Sequence, residues 1–196
     1  MIPSKNKKNL EEIFEELRKF SLSYLEKYAP SKQQLRTYLL KKYFKTPRSF
    51  TTKSELLNLI DLIISDLEKS RLISDKFYSE SKARSYLKRG YSINKIRSHL
   101  ISKGIGENYI KDTVSKIKDN NNEQDFFSAI KICNKKRIGP CRAEDNRSLF
   151  YKKDISILAR LGFNYETSKK IMNLSKKDFE KFKKILWGLV FFIFFF

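Results

Sequence analysis

The chain has 196 residues, 42 Lys and Arg against 22 Asp and Glu, and a formal net charge of +20. Apolar residues make up 40% and charged residues 33%, which excludes a disordered polyelectrolyte and an ordinary membrane protein. Six Gly and four Pro argue against a turn-rich β-sandwich, and two Cys with one His fall short of the four ligands a structural zinc site takes.

Helical periodicity runs through the chain from its start. Leu10, Ile13, Phe14 and Leu17 fall at i, i+3, i+4 and i+7, with Leu22 and Leu25 further along. Ser31-Lys-Gln-Gln34 and Thr52-Lys-Ser-Glu55 read as capping boxes that open helices at about 32 and 53. Leu35, Leu39 and Tyr43 repeat every four residues on the first of these, and Leu56, Ile60, Ile63 and Leu67 line one face of the second. Gly90 follows a helical run ending Leu87-Lys88-Arg89, the place of a C′ glycine, and Ser92 supplies the N-cap of the next helix. Ile93, Ile96 and Leu100 with Ile110, Val114 and Ile117 read as a core stripe, and His99 beside it reads as structural or surface. Polar breaks follow at Asp119–Asn122 and Ile138–Asn146. Strand-like alternation is missing, so the fold class expected is all-α.

The start of the chain shows no apolar signal-peptide core, so the cytoplasm is the expected compartment. Cys133 and Cys141 leave a disulfide open, but without an export signal free thiols are expected. At the other end Ile185–Phe196 is an apolar run behind Lys183 and Lys184. As a helix it reaches roughly 18 Å, short of the ~30 Å hydrocarbon core, so a spanning helix is not expected. A membrane contact would have to come through this tail, which is read as lying outside the folded region.

An internal repeat organises the middle of the chain. Ala29–Leu39 aligns without a gap on Gly90–Leu100, matching Ser31 with Ser92, Leu35 with Ile96, Arg36 with Arg97 and Leu39 with Leu100. Gly162–Met172 reads as a weaker third copy, with Gly162 placed on Gly90, Phe163 on Tyr91 and Lys169 on Arg97. Helices Glu55–Lys69 and Glu107–Lys118 follow the first two copies, so the expected unit is a three-helix module of roughly 50 residues. About three such modules would form an elongated, curved array. The boundaries expected are a helical repeat over 1–74 with an insertion at 44–53, a central repeat over 75–119, a C-terminal repeat over 120–182, and the apolar tail 183–196 outside them.

The run Asp75-Lys-Phe-Tyr-Ser-Glu-Ser-Lys-Ala-Arg-Ser-Tyr-Leu-Lys-Arg-Gly-Tyr-Ser92, followed by Ile96-Arg97 and by Leu100 to Gly104-Ile105, resembles the central repeat of the bacterial RecX proteins. Arg160-Leu-Gly-Phe163 is similar to that family's last-repeat turn, and Lys136-Arg-Ile-Gly-Pro-Cys-Arg142 to a basic Gly-Pro connector in some members. The resemblance covers about residues 17–173 and is densest over 71–118. The Thr46-Pro-Arg-Ser-Phe50 insertion and the tail beyond 182 depart from the pattern, and Ser168 stands where the family carries an aliphatic residue. The resemblance implies a regulatory protein, not an enzyme, that binds the RecA nucleoprotein filament and modulates it, by inhibition, in recombination and the DNA-damage response. It would act as a monomer without cofactor or metal.

Charge placement bears on the same question. Segments 1–46, 75–118 and 151–196 carry +6, +7 and +6, whereas 47–74 is neutral and 119–150 carries +1. Lys, Asn, Ile, Phe and Tyr are abundant, as an A- and T-rich coding sequence would make them, so the size of the charge alone identifies no partner. Its position on repeated helices fits a polyanion: the RecA filament, or single- or double-stranded DNA. Candidate contacts are Arg36, Lys41, Lys88, Arg89, Lys95, Arg97, Lys103, Lys135, Lys136, Arg137, Arg142, Lys169 and Lys170, with Arg36 and Arg97 favoured because their position recurs. Gly90, Tyr91, Ser92, Gly162 and Phe163 are expected to build turns, and Tyr78, Tyr86, Tyr91 and Phe163 to pack, with base stacking as their alternative role. A general basic helical DNA-binding protein with no recombinase partner is the alternative function.

Overall fold

Apolar side chains three and four apart coil the chain into ten α-helices among the described residues: α1 (Ser4–Lys27), α2 (Lys32–Phe44), α3 (Lys53–Lys69), α4 (Asp75–Lys88), α5 (Ile93–Ser102), α6 (Glu107–Asn120), α7 (Gln124–Lys136), α8 (Glu144–Arg160), α9 (Tyr165–Met172) and α10 (Lys176–Phe194). A single 3-10 turn, Gly139–Cys141, lies between α7 and α8. The computed structural model describes the backbone of residues 4–44, 52–120 and 123–194, and the side chains of 10–44, 52–119 and 123–186. No strand occurs among these residues. The Thr46–Phe50 insertion lies outside them.

The helix starts follow the expected chemistry. Ser31 Oγ accepts from Gln34 N at 3.2 Å while Gln34 Oε1 accepts from Ser31 N at 3.1 Å, closing the first capping box. Thr52 and Glu55 close the second in the same reciprocal way. Ser92 Oγ caps α5 by accepting from Lys95 N at 3.1 Å, and Gly90 takes φ +81°, the left-handed conformation that ends α4. Asn164 and Ser175 cap α9 and α10 through Thr167 N and Asp178 N.

Contacts divide the chain into two compact units, 1–79 with 100–109 and 80–99 with 110–196. In the first, α1, α2 and α3 pack pairwise around Ile13, Leu17, Leu35, Leu39, Leu56, Ile60, Ile63 and Leu67, all buried to within 2%. In the second, α7, α8, α9 and α10 surround Ala129, Ile130, Cys133, Leu158, Phe163, Ile171 and Phe179. Ser168 is buried there, and its hydroxyl returns a 2.8 Å bond to Asn164 O, so the missing aliphatic carbon brings no unsatisfied polar group.

Helix α10 runs across residue 183 without a break. Phe179 is 1% exposed, Phe182 meets Phe126 edge to face at 5.0 Å, and Leu186 packs on the same core. The early part of α10, through Leu186, therefore belongs to the second unit; the side chains beyond residue 186 lie outside those described. No described helix is long and apolar enough to cross a membrane.

Candidate functional site

A set of polar contacts positions the basic helices, and it occurs twice. In the first unit Ser31 Oγ, 0% exposed at the start of α2, donates to Lys103 O at 2.7 Å, and Lys32 N donates to Asp75 Oδ1 at 2.9 Å. In the second unit Ser92 Oγ, also 0% exposed at the start of α5, donates to Leu161 O at 2.9 Å, and Ile93 N donates to Asp125 Oδ1 at 2.8 Å. Each serine thus holds the carbonyl before a turn glycine, Gly104 or Gly162. Each aspartate opens a further helix, α4 or α7, and satisfies an N–H that the helix start leaves without an intrahelical partner. Serine, aspartate and turn glycine all advance by three helices from one set to the next.

This geometry corrects the alignment of the third copy. Gly162 answers to Gly104, not to Gly90, and Phe163 to Ile105, both of which are buried after their glycines. Gly104 and Gly162 have φ of +71° and +88°, and each presses on the first turn of the serine-led helix: a Cβ on Gly104 would meet Gln33 Cβ at 2.6 Å, and one on Gly162 would meet Lys95 N at 2.9 Å. Burial pushes the carboxyls of Asp75 and Asp125 above the ordinary carboxylate range. The N–H groups of Lys32 and Ile93, with the charges of Lys32 and Lys118, oppose that rise.

The candidate cations fall into distinct settings. Lys41, Lys88, Lys95, Arg97, Lys135, Lys136, Arg137 and Lys169 are exposed, and Lys103 is half-buried. Lys135, Lys136 and Arg137 lie together at the end of α7, where Arg137 takes φ 53° and turns the chain. Arg36 pairs with Asp61 of α3 at 2.6 Å, so in the first copy the recurring arginine ties its own module together. Lys170 lies 3.5 Å from Glu123 and 4.6 Å over the Phe126 ring. Arg142 turns inward: Nε and Nη2 meet the two oxygens of Asp154 at 2.7 and 2.8 Å, and Asp154 Oδ2 also accepts from Gly139 N at 2.8 Å. With Asp154 1% exposed, this pair fixes the Gly-Pro connector from inside.

The aromatics divide in the same way. Tyr78 and Phe163 are 4% exposed and pack, whereas Tyr86 and Tyr91 are half-buried around the α4–α5 turn. His99 shares a 2.9 Å hydrogen bond between Nδ1 and Tyr86 Oη, a structural setting of the kind expected. Cys133 and Cys141 are free thiols, and burial pushes both thiol pKa values up. The sequence signals that mark these positions are modest: a serine recurring at two helix starts, and aspartates opening α4 and α7.

No protein-family model matches the chain. The regulatory protein RecX of Myxococcus xanthus (strain DK1622) is 30% identical to it over 160 residues, which span 78% of this chain and 82% of that protein. The chain belongs to the RecX family. A crystal structure of a regulatory protein RecX superposes with a TM-score of 0.62 at 22% identity, covering 85% of this chain and 74% of the other. The RecX crystal structure from Lactobacillus salivarius superposes with a TM-score of 0.59 at 18% identity, over 83% and 96%. At those identities the two structures establish the all-helical fold, and the M. xanthus relative establishes the family. RecX membership thus agrees with the Asp75–Ser92 and Arg160–Phe163 motifs on which the resemblance rested.

Proposed function

We propose that this chain binds the RecA nucleoprotein filament and inhibits its recombinase and ATPase activity, as a cytoplasmic monomer acting in recombination and the DNA-damage response. Membership of the RecX family carries this reading. The placement of charge supports it: exposed cations recur on α2, α4, α5, α7 and α9, where they would meet phosphates or acidic protein surface. The mechanism is steric and electrostatic, blocking subunit addition, ATP turnover or strand exchange, with no chemistry of its own. The polar latches hold the basic helices in fixed register, so that binding does not have to order them first.

The test is RecA ATPase on single-stranded DNA at moderate salt with increasing amounts of the purified chain. A dose-dependent fall is expected. An unchanged rate together with no binding to the filament contradicts the proposal, and tight binding to naked DNA with no gain on RecA-coated DNA would favour a general DNA-binding protein.

A further inference from the structure

Around the α4–α5 turn, three rings form a short row. His99 and Tyr86 have centroids 4.6 Å apart at 31°, and Tyr86 and Tyr91 are 4.9 Å apart at 40°. The Tyr86–His99 hydrogen bond fixes the inner end, and Tyr91 is the half-exposed outer end. Arg89, itself exposed, places its guanidinium 5.6 Å from the Tyr86 centroid and 5.1 Å from that of Tyr91, and reaches the Tyr91 hydroxyl at 3.3 Å. Two centroids 4.9 Å apart and a cation at nearly equal distance from both make a triangle. The guanidinium therefore lies over the ring pair on the Tyr86 side of Tyr91 and not beyond it, so it does not extend the row outward.

We propose that this corner binds single-stranded nucleic acid, with an unpaired base continuing the row on the outer face of Tyr91 and Arg89 and Lys88 meeting the adjoining phosphate. The chemistry follows from the parts. An aromatic row whose inner members are held by packing and a hydrogen bond is a pre-ordered stacking platform, and stacking tolerates any base. A cation already oriented beside the rings is set to receive the phosphate that follows a stacked base. Lys88 is exposed next to it, and Lys95 is exposed on the following helix, so the surroundings carry positive charge. A duplex keeps its base faces stacked on each other and offers this row nothing, so the corner selects unpaired strands. The inference goes beyond filament binding, because it concerns the bare strand and needs no RecA.

The experiment uses the full chain with 5-iodouracil-substituted oligodeoxythymidylate, its ribo counterpart and a duplex of equal length. Irradiation is expected to crosslink the single strands at Tyr91, mapped by mass spectrometry; the DNA and RNA arms show which strand is preferred. Tyr91→Leu should lower single-strand affinity about tenfold, the scale of one lost stack, while Tyr91→Phe retains it and duplex affinity stays unchanged in both. Thermal melting of both variants checks that they fold. Equal affinity of wild type and Tyr91→Leu for the single strand, an equal loss on duplex, or crosslinks only at other sites would each overturn the proposal. RecA ATPase measured with the wild-type chain separates the two readings: inhibition by a chain that shows no strand binding at Tyr91 sinks this inference and leaves the proposed function standing, and strand binding at Tyr91 with no inhibition does the reverse.

Discussion

Asp75 carries a carboxylate into a buried position because the start of α2 presents an N–H there that needs an acceptor. Replacing it tests that account in two steps. Asp75→Asn keeps an oxygen in place and should cost little, whereas Asp75→Ala leaves Lys32 N–H without its acceptor and should cost about 1–3 kcal/mol in urea unfolding. The pH dependence has a definite sign. Because burial raises the folded-state pKa above the ordinary 3.8, the folded protein takes up the proton first as pH falls. The penalty on the charged form is full at neutral pH and disappears as pH drops through the raised value toward 3.8. Wild type should therefore gain stability relative to Asp75→Asn on acidification; a relative loss in the melting temperatures would contradict the burial account. Arg142 belongs to a different class. Arg142→Ala strands the buried Asp154 charge with Gly139 N–H as its remaining donor among the described residues, and should destabilise by about 3 kcal/mol, the lower end for a broken buried pair because Arg142 keeps some solvent contact. A loss below 0.5 kcal/mol, the scale of an ordinary surface change, would contradict a structural role for this pair.

At the level of elements, the turn glycines separate conformational need from mere presence. Gly162 combines φ +88° with close approach to Ser92 and Lys95, while Gly106 has ordinary φ and only Tyr109 Cδ2 at 3.9 Å from a would-be Cβ. Gly162→Ala should lower stability by roughly 1–3 kcal/mol through strain and loosening of the α8–α9 turn from α5, and Gly106→Ala should be near neutral. Similar losses for both in the same melts would show that the Ser92–Leu161 contact does not depend on this approach. Capping boxes, helix faces and the end of α4 were legible in the sequence because each depends on residues within a turn or two of one another. The Ser31–Lys103 and Ser92–Leu161 bonds join residues about seventy positions apart, and a helix-start serine looks the same whether its hydroxyl only caps or also donates elsewhere. For the same reason the local pattern aligns Gly162 with Gly90: a glycine after a helix and before an apolar residue is shared by two different turns.

For the whole molecule, the all-helical fold and the family were readable from periodicity and from the Asp75–Ser92 run. The candidate surface was readable only as composition. Thirteen cations met the criterion of repeated basic helices, and the sequence had no means of showing that Arg36 would turn to Asp61 and Arg142 to Asp154. Those two are held by partners within their own units, which leaves the exposed candidates on α2, α4, α5, the end of α7 and α9. If this charge meets phosphates, the logarithm of affinity should fall linearly with the logarithm of salt concentration. Substituting Lys135, Lys136 and Arg137 together should reduce that slope by up to about three, provided all three contact phosphate; an unchanged slope would remove the end of α7 from the interface. The most direct measurement of the central claim is the affinity of the purified chain for naked and for RecA-coated single-stranded DNA across one salt series. A filament regulator binds the coated strand more tightly at every salt concentration, with a preference that persists when contacts to bare DNA are screened away. Equal or weaker binding to the coated strand throughout the series would contradict it.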